Sequence, residues 1–264
     1  FLKKNLKLLN FFASLRRIIM NKTAIIIPSR LDAQRLPNKP LKLINNKEMI
    51  LHVYEAALKS NAEEVYVATP DQKIIDILKK FGGNGILTEG DHNTGTDRVF
   101  EVFKKNLNSN PNIIINLQGD MPNIHPKIIN DLIDYMKQGA CEIATLASKL
   151  SSKLELEDEN VVKVLVKEKL KPRKFTKALD FIRINNTKDL QAYHHIGIYA
   201  FTNKALLRYV GLKRSKLEIE RKLEQLRAME NGISIHVGYV DSSPLSVDTK
   251  KDLDEVKKIM ETNE

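Results

Sequence analysis

The chain has one cysteine and no tryptophan in 264 residues. A single thiol, Cys141, excludes an intramolecular disulfide framework and fits a reducing compartment, so the protein is expected in the cytoplasm. Cys141 lies in the apolar stretch CEIATLA and reads as a small core residue. With no tryptophan, no RNA-binding signature and no aromatics clustered with cations, a nucleic-acid partner is not expected. No apolar run approaches the ~20 residues that a membrane-spanning helix requires, so no membrane partner is expected either. Internal repeats, low-complexity linkers and the G-x-x-x-x-G-K-[ST] spacing of a Walker loop are all missing. Acids are missing from residues 1–19, which carry Lys3, Lys4, Lys7, Arg16 and Arg17. That segment also starts without methionine, whereas Met20 directly precedes a strand-like run. It reads as a non-native or disordered extension, with an amphipathic surface stretch or an extra helix as alternatives.

What remains is a chain with 42% apolar residues, able to bury a large core as a single domain over residues 20–264. The net charge is +10, and without the five early cations 38 basic side chains face 33 acidic ones. A surplus of that size suits a protein that handles phosphates or carboxylates and does not by itself point to nucleic acid.

Short apolar runs alternate with helical patterns. TAIII (23–27) predicts a buried strand that passes into the loop PSRLDAQRLPNKP. MILHVYEAALKS is helical in spacing, VYVAT (65–69) is strand-like, and DQKIIDILKKFGG is a helix closed by Gly82 and Gly83. GTDRVFEVFKK follows as a helix and NIIINLQGD (112–120) contains a third buried strand. This alternation predicts βαβ crossovers and an α/β fold with a mostly parallel sheet. Ligands bind outside the carboxyl ends of such strands, so the loops after Ile27, Thr69 and Leu117 are expected to converge. Beyond Cys141 the pattern weakens into VVKVLV, HIGIYAF, one charged helix KLEIERKLEQLRAMENG, ISIHVGYV and a last helix TKKDLDEVKKIM. A small antiparallel section or lobe is expected there.

The first loop holds Arg30, Arg35 and Lys39 within ten residues, stiffened by Pro37 and Pro40. Forked guanidinium bonds and a lysine point charge suit a polyphosphate and offset charge on a leaving pyrophosphate; the bland reading is a basic surface loop. Asp120 ends the third strand, where an acid would project into the crevice as a magnesium ligand, or would merely form a turn before Pro122. Asp248 in SVDT, expected after a short strand, is a second candidate ligand or the N-cap of the last helix. DHNTGTDR (91–98) offers hydroxyls, a helix start at Gly95 or Thr96, and Arg98 to an anion. His195, Tyr199, Glu224 and Gln225 are able to bind a hydroxylated, carboxylated sugar, or to be satisfied sheet residues and a solvated helix face.

In order along the chain, PSRLDAQRLPNKPL, DHNTGTDR, NLQGD, HHIGIY, LEQLR and SVDTKKDL resemble the signature segments of the 3-deoxy-manno-octulosonate cytidylyltransferase family, the CMP-Kdo synthetases. The resemblance spans roughly residues 22–260. It implies a Rossmann-like nucleotidyltransferase fold and transfer of CMP from CTP to the acidic sugar Kdo, with release of pyrophosphate, for lipopolysaccharide biosynthesis. It further implies that Arg30, Arg35 and Lys39 neutralise the triphosphate, that Arg98 and Gln118 help hold the nucleotide, and that Asp120 and Asp248 bind Mg2+. Kdo contacts would come from His195, Tyr199, Glu224 and Gln225, and the family implies a homodimer. Departures are Met121 where the family usually has an acid, Gln34, Pro70, and the rewritten stretch 171–193. A cytidylyltransferase for another acidic sugar, such as sialic acid, and a catalytically weak nucleotide-binding relative are the alternatives.

Overall fold

The computed structural model describes residues 22–89, 91–107, 109–184 and 190–262, so the extension expected over 1–19 lies outside the described residues. The first half contains β1 (Thr23–Pro28), the hairpin β2 (Leu43–Ile44) and β3 (Lys47–Glu48), α1 (Met49–Leu58) and β4 (Glu64–Thr69). It continues with α2 (Gln72–Phe81), β5 (Gly85–Leu87), α3 (Gly95–Asn106), β6 (Ile113–Leu117), α4 (Pro126–Lys137) and β7 (Ile143–Ser148). The second half contains α5 (Lys153–Glu157), β8 (Lys163–Val166), β9 (Phe175–Lys177), β10 (Asp180–Ile182), β11 (Gln191–Thr202) and α6 (Asn203–Val210). It closes with α7 (Lys216–Arg221), α8 (Leu226–Glu230), β12 (Ile235–Tyr239) and α9 (Lys250–Glu261).

One sheet orders these strands β5-β4-β1-β6-β11-β7-β12-β9, with β8 on the first half of β11 and β10 outside β8. β1 pairs in parallel with β4 and β6, β4 with β5, and β12 with β7. The long β11 runs against β6, β7 and β8, and the short β9 and β10 run against β12 and β8, giving the expected antiparallel section. β1 and β6 read as unbroken apolar runs because both faces are covered. Ile25, Ile27, Ile115 and Leu117 pack with Ile50, Val53 and Tyr54 of α1 and Ile129 and Leu132 of α4. Ala24, Ile26 and Ile114 face the other way, toward Val99 and Val102 of α3 and Leu206 of α6.

The single charged helix expected over KLEIERKLEQLRAMENG is two short helices, broken at Lys222, whose φ of 54° is left-handed. Burial explains the break. Glu218 and Arg227 form a double hydrogen bond, Nε to Oε2 at 2.9 Å and Nη2 to Oε1 at 2.7 Å, with 1% and 3% of their surfaces exposed. In a continuous helix, residues nine apart would stand about 13 Å apart along the axis and could not meet. The chain folds back instead, and Arg227 also lies over the Tyr209 ring, 4.7 Å from its centroid.

Candidate active site

The loop after β1 is tied down by its backbone. Ser29 donates to the Ala68 carbonyl at 2.9 Å and Asn38 to the Leu31 carbonyl at 3.2 Å. The Leu31 amide donates to Asp71 Oδ2 at 2.8 Å. The loop after Thr69 therefore acts as a brace for the first loop and is not among the residues that line the cavity. Leu36 and Pro40 are buried, while Arg30 and Arg35 are exposed and Lys39 is half-buried.

Asp120 comes to the same place because β6 lies beside β1, and Gly119 allows the close approach. A Cβ there would stand 3.2 Å from Ile50 Cδ1 and 3.3 Å from the Pro28 carbonyl. Asp248 arrives from the far end of the chain. Val247 donates to the Asp120 carbonyl at 2.9 Å and Leu245 to Asn123 Oδ1 at 2.9 Å. Val247, Leu253 and Val256 share a separate small core with Leu36, Ile44 and Met49, which clamps α9 beside the first loop. A loop leads from β12 to Asp248, and the α9 cap is Thr249, which accepts from the Asp252 amide. The Asp248 carboxylate is thereby left for another role.

That role is electrostatic. Lys39 Nζ donates to Asp120 Oδ2 and to Asp248 Oδ1, both at 2.9 Å, and Arg35 Nη2 reaches Asp248 Oδ2 at 3.0 Å. Burial acts to lower the Lys39 pKa, but the two carboxylates outweigh it and raise the pKa above the ordinary lysine value. Burial acts to raise the Asp248 pKa, and Lys39 and Arg35 overcome it and hold it below the ordinary carboxylate range. The two acids thus meet one cation, their oxygens no more than twice the Lys39 contact distance apart.

These groups open onto a cavity of about 680 Å³, also lined by Arg30, Arg98, His92, Gln118 and the start of α3. Thr94 caps α3 through a reciprocal box with Asp97, and Gly95 is its first residue. The free amides and dipole of that helix end therefore face the cavity, an arrangement that favours anions. Arg98 is buried and donates to Thr88 Oγ1. Burial, then the neighbouring Arg30, pulls its pKa down.

Magnesium fits the donor set. Two carboxylates already converge on a cation, the Lys39 ammonium, and magnesium usually takes one or two carboxylates and completes its octahedron with water and substrate phosphates. Among the described residues no group of three or more His, Cys, Asp or Glu forms a self-sufficient metal cage.

Of the residues expected to bind sugar, Tyr199, Glu224 and Gln225 meet around a second, small cavity of about 10 Å³. Thr96 lines it too. The Tyr199 hydroxyl and Glu224 Oε2 are shielded from solvent and lack partners. Burial pushes the Glu224 pKa up and the Tyr199 pKa well up. His195 stands apart from this lining, its ring 5.3 Å from that of Tyr199 and 5.0 Å from Phe181. Its Nε2 contacts Thr145 Oγ1 at 2.9 Å, and that hydroxyl donates to the Ile198 carbonyl at 2.7 Å. A register shift between Ile196 and Tyr199 marks a bulge in β11, where a Cβ on Gly197 would lie 3.8 Å from Gln118 Cγ. Met121 is buried in the core and does not line the large cavity, so its difference from the family leaves the carboxylate pair untouched. The rewritten stretch contributes the edge strands β9 and β10, with Phe175 stacked on Tyr135 at 3.7 Å. Residues 185–189 of that stretch lie outside the described residues.

Sequence reasoning gave no role to Asp71 or Asn116 and took Thr96 only as a helix start and a hydroxyl for an anion. The signal for Asn116 was present: an amide inside the buried run IIINL needs a partner.

A cation-rich loop at the carboxyl edge of a parallel sheet, facing two carboxylates across a polar cavity, is the architecture of a nucleotidyltransferase. The family follows from the sequence: the cytidylyltransferase family model matches residues 24–235, and the chain belongs to that family. It is 41% identical over 238 residues to the 3-deoxy-manno-octulosonate cytidylyltransferase of Bartonella tribocorum, a match covering 89% of this chain and 97% of the relative. The enzyme of that name from Thermodesulfovibrio yellowstonii is 39% identical over 251 residues, covering 91% and 98%. Among solved structures, CMP:2-keto-3-deoxy-manno-octonic acid synthetase complexed with CTP superposes with a TM-score of 0.82 at 38% identity, covering 92% of this chain and all of that one.

Proposed function

We propose that this protein activates 3-deoxy-manno-octulosonate with CTP, giving CMP-Kdo and pyrophosphate. The observation that carries the reading is Lys39 held between Asp120 and Asp248 at the edge of the large cavity. The names of the relatives and the CTP held by the similar solved structure support the choice of substrates.

Arg30, Arg35 and Lys39 bind and orient the triphosphate in line for attack, and the α3 amides take further phosphate oxygens. Asp120 and Asp248 would hold Mg2+, which supplies charge neutralisation at the phosphates when bound. The family's sugar contacts would fall to Tyr199, Glu224 and Gln225, with His195 behind them, once their water-sized cavity opens toward the large one. The sugar's anomeric hydroxyl oxygen bonds to the α-phosphorus as the bond to pyrophosphate breaks, and Lys39 and Arg35 meet the charge that develops on the leaving group. The product would feed lipopolysaccharide assembly, and the reaction would run in the cytoplasm. Among the described residues no helix is long and apolar enough to cross a membrane.

The test is pyrophosphate release from CTP, Kdo and magnesium on protein starting at Met20. Release that needs both CTP and Kdo is expected. Turnover with sialic acid alone would change the substrate, and CTP binding without turnover would replace the reading with a nucleotide-binding relative.

A further inference from the structure

The cavity that holds Gln118 and the one that holds Glu224 are joined by a buried line of hydrogen bonds. Gln118 Nε2 lies 2.8 Å from Asn116 Oδ1, Asn116 Nδ2 lies 3.0 Å from Thr96 Oγ1, and Thr96 Oγ1 lies 2.9 Å from Glu224 Oε1. Asn116 is 0% exposed and Thr96 1%. Asn116 and Gln118, two apart along the same chain, point to one side of the sheet, and Asn116 is in register with Tyr199 on the neighbouring strand. Thr96 comes from the first turn of α3 and Glu224 from the link between α7 and α8.

The direction of this line follows from proton counting. A hydroxyl has one proton to give. With Glu224 ionised, its Oε1 offers only lone pairs to Thr96. Thr96 therefore gives its proton to Glu224 and has only lone pairs left for Asn116. Asn116 must turn its NH2 toward Thr96 and its oxygen toward Gln118. Gln118 meets that oxygen with its own NH2, and its carbonyl oxygen is turned away from Asn116.

We propose that Glu224, acting through Thr96 and Asn116, fixes the amide of Gln118 so that its carbonyl oxygen is presented to the large cavity as an acceptor for a hydroxyl or amine donor of the substrate. Thr96 and Asn116 are then positioning residues that couple the two halves of the site. This rests on the cytidylyltransferase reading for its substrates but not for its geometry. An amide without the relay would flip freely and present donor and acceptor alike, whereas a fixed one rejects groups that cannot donate.

The experiment uses 15N-labelled full chain without substrate, with the Gln118 side-chain NH2 resonances identified by their loss in Gln118→Ala. Thr96→Val removes the donated proton at nearly constant shape, and Thr96→Ser restores it. The Gln118 NH2 signals are expected to move and exchange faster with solvent in Thr96→Val and to return to the parent positions in Thr96→Ser. Unchanged signals in Thr96→Val, or equal changes in both variants, overturn the relay whatever the sugar proves to be. Kinetics add a second readout: Thr96→Val is expected to lower kcat/KM about tenfold in the parent. In a Gln118→Ala background the same change is expected to lower it much less. Losses that multiply in full in the double variant would make Thr96 a merely structural residue and overturn the coupling. Absence of turnover with Kdo would overturn the substrate reading and leave the resonance test standing.

Discussion

Lys39 and Asp248, separated by 209 positions, meet at 2.9 Å. Lys39 bonds Asp120 from the same nitrogen, so one ammonium holds two acids that would otherwise repel. Were Mg2+ to take the two acids as proposed, Lys39 would be released to turn to the triphosphate.

Removing either acid tests this. Asp120→Asn and Asp248→Asn are each expected to abolish turnover, a loss of at least roughly 10³-fold, while leaving the melting temperature near that of the parent. Near-normal pyrophosphate release in both would sink the metal assignment, and so would full activity after exhaustive chelation.

Lys39→Met should separate charge from packing. It removes the counter-ion of Asp120 and Asp248 and a stabiliser of the leaving group, and kcat is expected to fall about 10²-fold or more. Asp248 loses its largest pKa-lowering partner, so its titration should move up. Carboxylate 13C shifts followed against pH report that directly, and an unmoved Asp248 titration would show that Lys39 does not hold it.

The Glu218–Arg227 pair offers a test of the fold around Glu224. Arg227→Met leaves Glu218, at 1% exposure, with Arg214 as its remaining guanidinium partner and is expected to cost about 2–3 kcal/mol. The double change Glu218→Met with Arg227→Met should recover much of that. Urea denaturation of the single and double variants gives the comparison, and additive losses would contradict a paired origin.

His195 should set part of the acid sensitivity. Burial, then the neighbouring His194, pulls its pKa from 6.5 down to about 3. The folded state therefore stays unprotonated where the unfolded chain takes up a proton. The stability that neutral His195 provides is complete above pH 6.5 and is lost as pH falls toward 3. The slope approaches about 1.4 kcal/mol per pH unit. His195→Gln is expected to shrink the stability difference between pH 7.5 and pH 5 by about 2 kcal/mol. Equal differences in parent and variant would show that His195 titrates normally.

Much of this was legible in the residues themselves. The β1 and β6 runs, the helices after them and the loop cations were readable because each is local: periodicity, caps and turn residues act within a few positions. Asp248 was nameable between the strand β12 and the helix α9, although the cap belongs to Thr249. The split of the expected helix at Lys222 was hidden because the cause, Arg227 folding back onto Glu218, is a contact that no periodicity encodes. The meeting of Asp120 and Asp248 was implied only by the family resemblance, because it depends on the small core of Leu36, Ile44, Met49, Val247, Leu253 and Val256.

That small core also sets an order of events during synthesis. The cationic loop and Asp120 lie in the first half of the chain, β11 and β12 join the sheet later, and the second acid is held in place by α9. A nascent chain lacking residues beyond 250 could bind a triphosphate through its arginines and would have only half of the proposed metal site. Competence would then arrive with the final helix, which keeps a partly made enzyme from spending nucleotide.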